Sequence, residues 1–439
     1  MTVERTATRE RIASTRRGSF RPLACLALCS VVWLGCGGTG EPTVDGIPAS
    51  GPDGEWPQWR GPERTGVVQP SGPLATQWPE GEPKTLWRRD LGEGLGGIAV
   101  ADGRAYALAA RRSSEALVAF DARLGTELWR LDLGETFKDG HGNGPRSTPA
   151  VHEGTVYATG SRRIVAADAS NGAELWTRPL GEAPQWGFSS SPLVDGELLI
   201  VHGTLDQPAE SSPDERGAVI ALDRATGATA WTAEPGHPGY SSPLIAEIAG
   251  RRHLVSFVAA GLLGLDPQTG ERLWIHPWTT AYSVNAADPI ILPGDRIFIS
   301  AGYDSGSQLL QILADGEGFR VEEVWRTHRM KNHFSSSVLV GEHIFGFDNS
   351  TLQCLQVVDG KPCWRQRGFG KGSLITTGDH LLVLGDEGTL ALVEASGDEY
   401  RELGRVQALE YGSWAPPSLA GQWIYLRNHD EIVSLNLAE

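Results

Sequence analysis

Four stretches of this chain end in the same way. FDARLGTELW closes on Trp129, AADASNGAELW on Trp176, ALDRATGATAW on Trp231 and GLDPQTGERLW on Trp274. A phrase that returns roughly every 40–55 residues restricts a chain to a repeat architecture, in which each unit buries its apolar face against a neighbouring copy. Residues 190–231 give the unit in full. Pro192 opens an inner strand, a DG turn follows, LLIVHG is a central strand, and VIALD leads through DRATG to a last strand ending on Trp231. Four short strands joined by turns are the blade of a β-propeller.

The turn chemistry explains the phrase. Asp121, Asp168, Asp223 and Asp266 can cap backbone N–H groups, while Gly125, Gly172, Gly227 and Gly270 supply a left-handed residue. The recurrent Trp reads as a wedge between an outer strand and the next blade, where a large aromatic contributes much interface area. These residues are structural.

Further units fall at 96–133, 147–180, 190–235, 241–278, 286–328, 335–368 and 372–406, and the last, 416–437, stops after three strands. TLWRRDL around Trp87 is expected to provide its missing outer strand, closing the ring and removing exposed sheet edges. The sum is an all-β, eight-bladed propeller of four-stranded antiparallel blades. Seven is the alternative count, because ILADGEG in the fifth unit lacks the full turn and EASGDEY in the seventh leads to no Trp. The 55 glycines, 27 prolines and 15 tryptophans suit a protein of many hairpins.

Ahead of the repeats, residues 1–35 carry six arginines and the apolar run LACLALCSVVWL, too short to span a bilayer comfortably and suited to a signal-peptide core. The run ends LGCGG, which resembles a bacterial lipoprotein signal with Cys36 as the lipidated residue; cleavage to a soluble exported form is the alternative. TRRGSF leaves Sec and twin-arginine export both open. Residues 36–54 then read as a flexible linker and 55–439 as the propeller. Cys354 and Cys363 flank the turn VVDGKP on antiparallel strands, where a cross-strand disulfide is expected in an oxidising compartment, two reduced core cysteines being the other reading.

Formal net charge is −16, which argues against binding a phosphate backbone. Catalytic motifs are wanting. FGKGS around Lys371 has the wrong glycine spacing for a phosphate loop, GYDSG at 302–306 is not a nucleophile elbow, and His328 and His333 have no partners at zinc spacing. No metal site is expected.

Taken together with EWPQWRGPERTG (55–66), MKNHFSSSVLVGEHIFGFD (330–348), GFGKGSLI (368–375) and APPSLAGQWIYLRN (415–428), the repeats resemble the bacterial pyrroloquinoline-quinone-like (PQQ-like) β-propeller family. That family includes the lipoprotein scaffold of the outer-membrane β-barrel assembly machinery and the quinoprotein alcohol dehydrogenases. The resemblance implies, for an enzyme, PQQ with calcium, stacking aromatics, a carboxylate and amide ligand set and an Asp base. No Cys-Cys pair is present here, and no calcium set matches residue by residue. The expectation is therefore a non-catalytic binding or scaffold module, exported to the cell envelope, facing the periplasm and held by a lipid anchor, with no cofactor. Its partner is an envelope protein or other macromolecular ligand. A PQQ-dependent oxidoreductase and an outer-membrane assembly scaffold are the alternatives.

One pattern singles out a site. Trp186, Phe188, Tyr240, Tyr282, Phe334 and Trp414 all sit just before inner strands, so successive blades bring them to one mouth of the central channel, with Lys331, His333, Asn332, Arg146 and Asn143 as polar companions. Aromatics with a few polar groups suit a ligand or peptide site. The other reading is that they plug the channel and pack between blades.

Overall fold

The computed structural model describes residues 47–48, 50–79, 83–206, 218–234 and 236–439. The expected signal segment, Cys36 and the linker up to residue 46 lie outside them. Eight four-stranded antiparallel sheets follow one another along the chain, each running from an inner to an outer strand, which makes an eight-bladed β-propeller. Blades 1 to 7 span 98–135, 150–179, 193–233, 244–277, 290–327, 338–366 and 373–407. Both degenerate units are complete blades. In the fifth, two ten-residue strands, Gly306–Asp315 and Gly318–Thr327, replace the short turn with a long hairpin.

Blade 8 closes the ring as expected. Its three C-terminal strands are completed by Lys84–Asp90, which pairs antiparallel with Glu431–Asn436. Trp87 is then the wedge of this composite blade, 3% exposed, stacked near Phe120, tilted against Tyr425 and donating its indole N–H to the Ala122 carbonyl at 3.0 Å.

Wedge and turn are two halves of one joint. Trp87, Trp129, Trp176, Trp231 and Trp325 each lie on the turn glycine of the following blade, at Gly125, Gly172, Gly227, Gly270 and Gly360. Gly172 has φ +76°, and a Cβ there would stand 2.5 Å from the Trp129 ring, so conformation and space both demand glycine. The turn aspartates accept the expected bonds: Asp121 Oδ1 from the Arg123 and Leu124 amides at 2.9 and 2.7 Å, and Asp266 Oδ1 from Gln268 at 2.9 Å. Just before each wedge the outer strand bulges, so that two residues oppose one on the third strand, as at Ala166/Ala167 and Cys354/Leu355. Blade 7 has Gly404 at the wedge position. Trp78, from the segment before blade 8's outer strand, fills the place that a Gly404 side chain would take.

Around the channel the repeated Ser-Ser-Pro motif forms a belt between blades. The Gly97 amide donates to Thr148 Oγ1, Thr148 to Ser191 Oγ, Ser191 to Ser242 Oγ, Ser242 to Asp288 Oδ1 and Asp288 to Ser336 Oγ, at 2.8–3.0 Å. One end of this channel is stoppered by residues 56–68. Trp56 exchanges backbone bonds with Val100, Pro57 accepts from Val151, and Gly66 and Val68 pair with Thr376. Arg64 donates to the carbonyls of Ser191 and Pro192, Arg60 to that of Ser337 at 2.7 Å, and Trp59 donates to Asp288. The stopper thus touches the inner strands of blades 1, 2, 6 and 7 and the belt residues of blades 3 and 5. Arg60 lies 3.8 Å from Asp288, both buried, and burial lowers the pKa of Arg64 to about 10.

Candidate functional site

The stopper's backbone pairs with the inner strands at Val100, Val151 and Thr376 and its arginines reach up the channel to the belt, whereas the aromatics lie in the loops that precede the near ends of those strands. The two therefore occupy opposite mouths. At the open mouth the rings form an almost continuous circuit. His141 contacts Trp186, Trp186 contacts Tyr240 and Tyr282, and Tyr282 contacts Tyr303, with centroids 5.6–6.4 Å apart. From Tyr303 the circuit runs through His333, Phe334 and Trp414 to His429 at spacings of 5.0–5.7 Å. His429 lies against Gly142, beside His141, where the circuit began.

Of the residues chosen from sequence, Trp186, Tyr240, Tyr282, His333, Phe334 and Trp414 come together in this circuit. Phe188 does not: it is 4% exposed and packs with Leu180, Leu199 and Ile220 between blades 2 and 3. Lys331 points to carboxylates, Asp304 at 3.3 Å and Asp348 at 3.8 Å. Asn332 is buried and bonded to Ser300, Ser337 and the Phe347 carbonyl, which holds the loop rather than reaching solvent. Arg146 binds the carbonyls of Gly142 and Gly144 and lies over the Phe137 ring, and Asn143 donates to Glu93 at 2.9 Å. Tyr303, His141, His429 and Lys371 were missed. Tyr303 and His429 lie between second and third strands, a connection that reaches the same mouth as the one before each inner strand. That geometry is the signal that would have found them.

Electrostatics make the circuit largely neutral. Burial, then the Lys371 ammonium 3.2 Å away and His141, push the His333 pKa down to about 4, so its neutral ring can accept from Lys371. Burial lowers the pKa values of His429 and His237 too, and raises that of Tyr240 to about 12. Three tyrosines reach solvent: Tyr282 is 66%, Tyr411 65% and Tyr303 40% exposed. Tyr282, Ser283, Tyr303, Asp304 and Met330 all adopt positive φ at this mouth. Left-handed tyrosines carry a conformational cost, and such strain concentrates at functional surfaces.

The same geometry bears on a quinone. Among the described residues, one group of three His, Cys, Asp or Glu side chains brings its ligand atoms together, and it is His343, Cys354 and Cys363 in blade 6. At the mouth, Asp304 and Asp348 are engaged by Lys331, and Asp139 by Arg146 and His141. Most ring planes there meet at 54–88° rather than offering parallel faces. These residues do not fit a calcium-bound quinone, and no oxidation step is assigned to them. The expected Cys354–Cys363 disulfide is not formed in the structure: both are free thiols, Cys354 buried and Cys363 half-buried.

A groove of about 1070 Å³ is lined by Trp78, Asp379, Glu394 and Arg401, and a recess of about 410 Å³ adjoins the stopper at Glu55, Glu63 and Val68.

Comparison with known proteins agrees with the geometry. The family described as outer membrane protein assembly factor BamB matches residues 112–366. BamB from Moraxella catarrhalis is similar in structure, with TM-score 0.57 and 16% identity over 80% of this chain and 97% of that one. A quinohemoprotein alcohol dehydrogenase from Comamonas testosteroni superposes with TM-score 0.61 at 12% identity, over 88% of this chain and 81% of that one. The computationally designed Ika8 protein does so with TM-score 0.55 at 10% identity, covering 80% and 98%. At such identities the structures speak for the fold alone. No curated protein matches the sequence.

Proposed function

The chain belongs to the family described as outer membrane protein assembly factor BamB, and from that premise we propose that it is a non-catalytic scaffold of the cell envelope that grips a partner protein with its aromatic mouth. In this reading the chain is exported behind residues 1–35, faces the periplasm and is anchored through lipid on Cys36. The observation that carries the proposal is the pair Tyr282 and Tyr303, exposed, held at positive φ and packed edge to face at one rim. Exposed tyrosines on a rigid frame supply contact area at low entropic cost, which is how recognition surfaces gain affinity. The stopper and the belt keep that frame rigid.

Envelope extract passed over the immobilised chain, beside a Tyr282→Ala/Tyr303→Ala variant, tests the mouth. Proteins retained by the native chain should drop at least tenfold on the variant, while its melting temperature stays within a degree or two, since exposed side chains contribute little to stability. Equal retention by both would discard the mouth as the interface. For the anchor, Cys36→Ser should move the chain from the membrane pellet to the soluble periplasmic fraction; retention in the pellet would remove lipid from the account.

A further inference from the structure

Blade 6 combines, at three neighbouring positions, side chains that no sibling compared below brings together. Cys354 faces the wedge Trp364 across the sheet, where Ala119, Ala166, Ala221 and Gly264 face theirs. Cys363 is the extra residue of the bulge before the wedge, the place held by Leu128, Leu175, Leu273 and Val324. His343 lies two residues before Phe345, the partner of Cys354; Arg104 has that place in blade 1 and His253 in blade 4. In blade 4, where Gly264 and Leu273 hold the two cysteine places, the histidine packs on Trp274 and Phe319. In blade 6 it meets two thiols.

The ligand atoms of His343, Cys354 and Cys363 all lie within 4.8 Å of one another. Zn²⁺ bonds of about 2.3 Å to sulfur and about 2.0–2.1 Å to nitrogen would set tetrahedral ligands roughly 3.5–3.8 Å apart, within reach of small side-chain rotations. We propose that His343, Cys354 and Cys363 form a binding site for a thiophilic d¹⁰ cation, Zn²⁺ in the first instance, with its fourth position open to solvent. Two thiolates and an imidazole are a soft donor set that selects such an ion over calcium or magnesium. Cys363 and His343 are half-buried, which leaves a path for the ion, while the blade 7 turn at Gly397 abuts the imidazole and fixes its orientation. Trp364 ties the same turn to blade 6 by donating to the Ser396 carbonyl at 2.7 Å. Binding exchanges two thiol protons for the cation.

The test uses the full chain, reduced, titrated with Co²⁺ as a spectroscopic probe and with Zn²⁺ by calorimetry and thermal melting. Cys354→Ala and Cys363→Leu install the residues that blade 1 carries at these places, so both variants have a precedent for folding within this chain. One Co²⁺ per chain, with intense tetrahedral d–d bands and a thiolate-to-metal charge-transfer band, is the expected result. Zn²⁺ should displace it, raise the melting temperature of the native chain, and bind each variant more weakly by at least roughly 100-fold. Co²⁺ bound without a charge-transfer band, or a Zn²⁺ shift of equal size in Cys354→Ala, would overturn the site. So would oxidation of the two thiols to a disulfide at the same rate with and without Zn²⁺.

Discussion

Asp288 stands where the belt elsewhere carries Ser or Thr, and the stopper explains the exchange. One carboxylate oxygen accepts from the Ser242 amide at 2.9 Å as a serine would, and the other receives Trp59 and faces Arg60. Removing one member of a buried ion pair strands the other, so Asp288→Ala should cost about 3–5 kcal/mol. Asp288→Ser keeps the belt bond, but still strands Arg60, and should recover only about 1 kcal/mol of that loss. Denaturant unfolding reads both; a loss below about 1 kcal/mol for the alanine would mean that the stopper adds little to stability. The Trp129–Gly172 joint makes a second prediction at this scale. Gly172→Ala should cost about 1–3 kcal/mol through overpacking on the indole and the left-handed backbone. In a Trp129→Ala background the collision is gone, and the same change should cost only about 1 kcal/mol. A double-mutant cycle that returns simple additivity would refute the joint.

At the scale of elements, the blades were legible because each repeats a local signal: a Pro-led strand, an Asp-to-Gly turn, a Trp. Local signals of this kind survive translation into structure, and even the composite blade could be read, since a unit with three strands needs a fourth. What could not be read are pairings that bring together residues distant in sequence. Trp59 and Asp288 are 229 positions apart, and nothing in either neighbourhood names the other. Trp78 over Gly404 is the same case, an indole delivered from another segment to a blade whose own strand lacks one. The site was half legible for a related reason. Placing aromatics just before inner strands found one loop in each of five blades and overlooked the second loop that gave Tyr303 and His429. Phe188 obeyed the spacing, yet turned inward between two blades. The closure strand carries a prediction of its own. Trp87→Ala removes a nearly buried indole at the one seam that no continuous chain bridges, and should cost about 3–5 kcal/mol. Urea unfolding should also broaden, with a lower m value, because blade 8 can detach before the rest. An unchanged m value would show that the ring still opens as one unit.

For the molecule as a whole, a ring stoppered at one end and aromatic at the other should respond to acid from inside its channel, where the stopper's arginines reach the belt. His202 is fully buried there, its Nδ1 donating to the Ser241 carbonyl at 2.9 Å, with Arg64 of the stopper close enough to oppose a second positive charge. Burial first, and Arg64 after it, hold the His202 pKa down to about 3 from an ordinary value of 6.5. Between those values the unfolded chain binds a proton that the folded chain refuses. The contribution is therefore complete above about pH 6.5 and is lost as pH falls toward 3, by up to about 1.4 kcal/mol per pH unit. His333, with a pKa of about 4, adds a smaller term of the same sign, discounted because its ring is only half-buried. Melting temperature should fall steadily from pH 7 to 4.5, and His202→Gln, which can still donate to Ser241, should flatten that slope although its stability at pH 7 is lower. An equal slope in the variant would place the acid sensitivity outside the channel. A slope flattened by His333→Gln instead would move it from the belt to the aromatic mouth, where protonation would bear directly on the surface proposed to hold a partner.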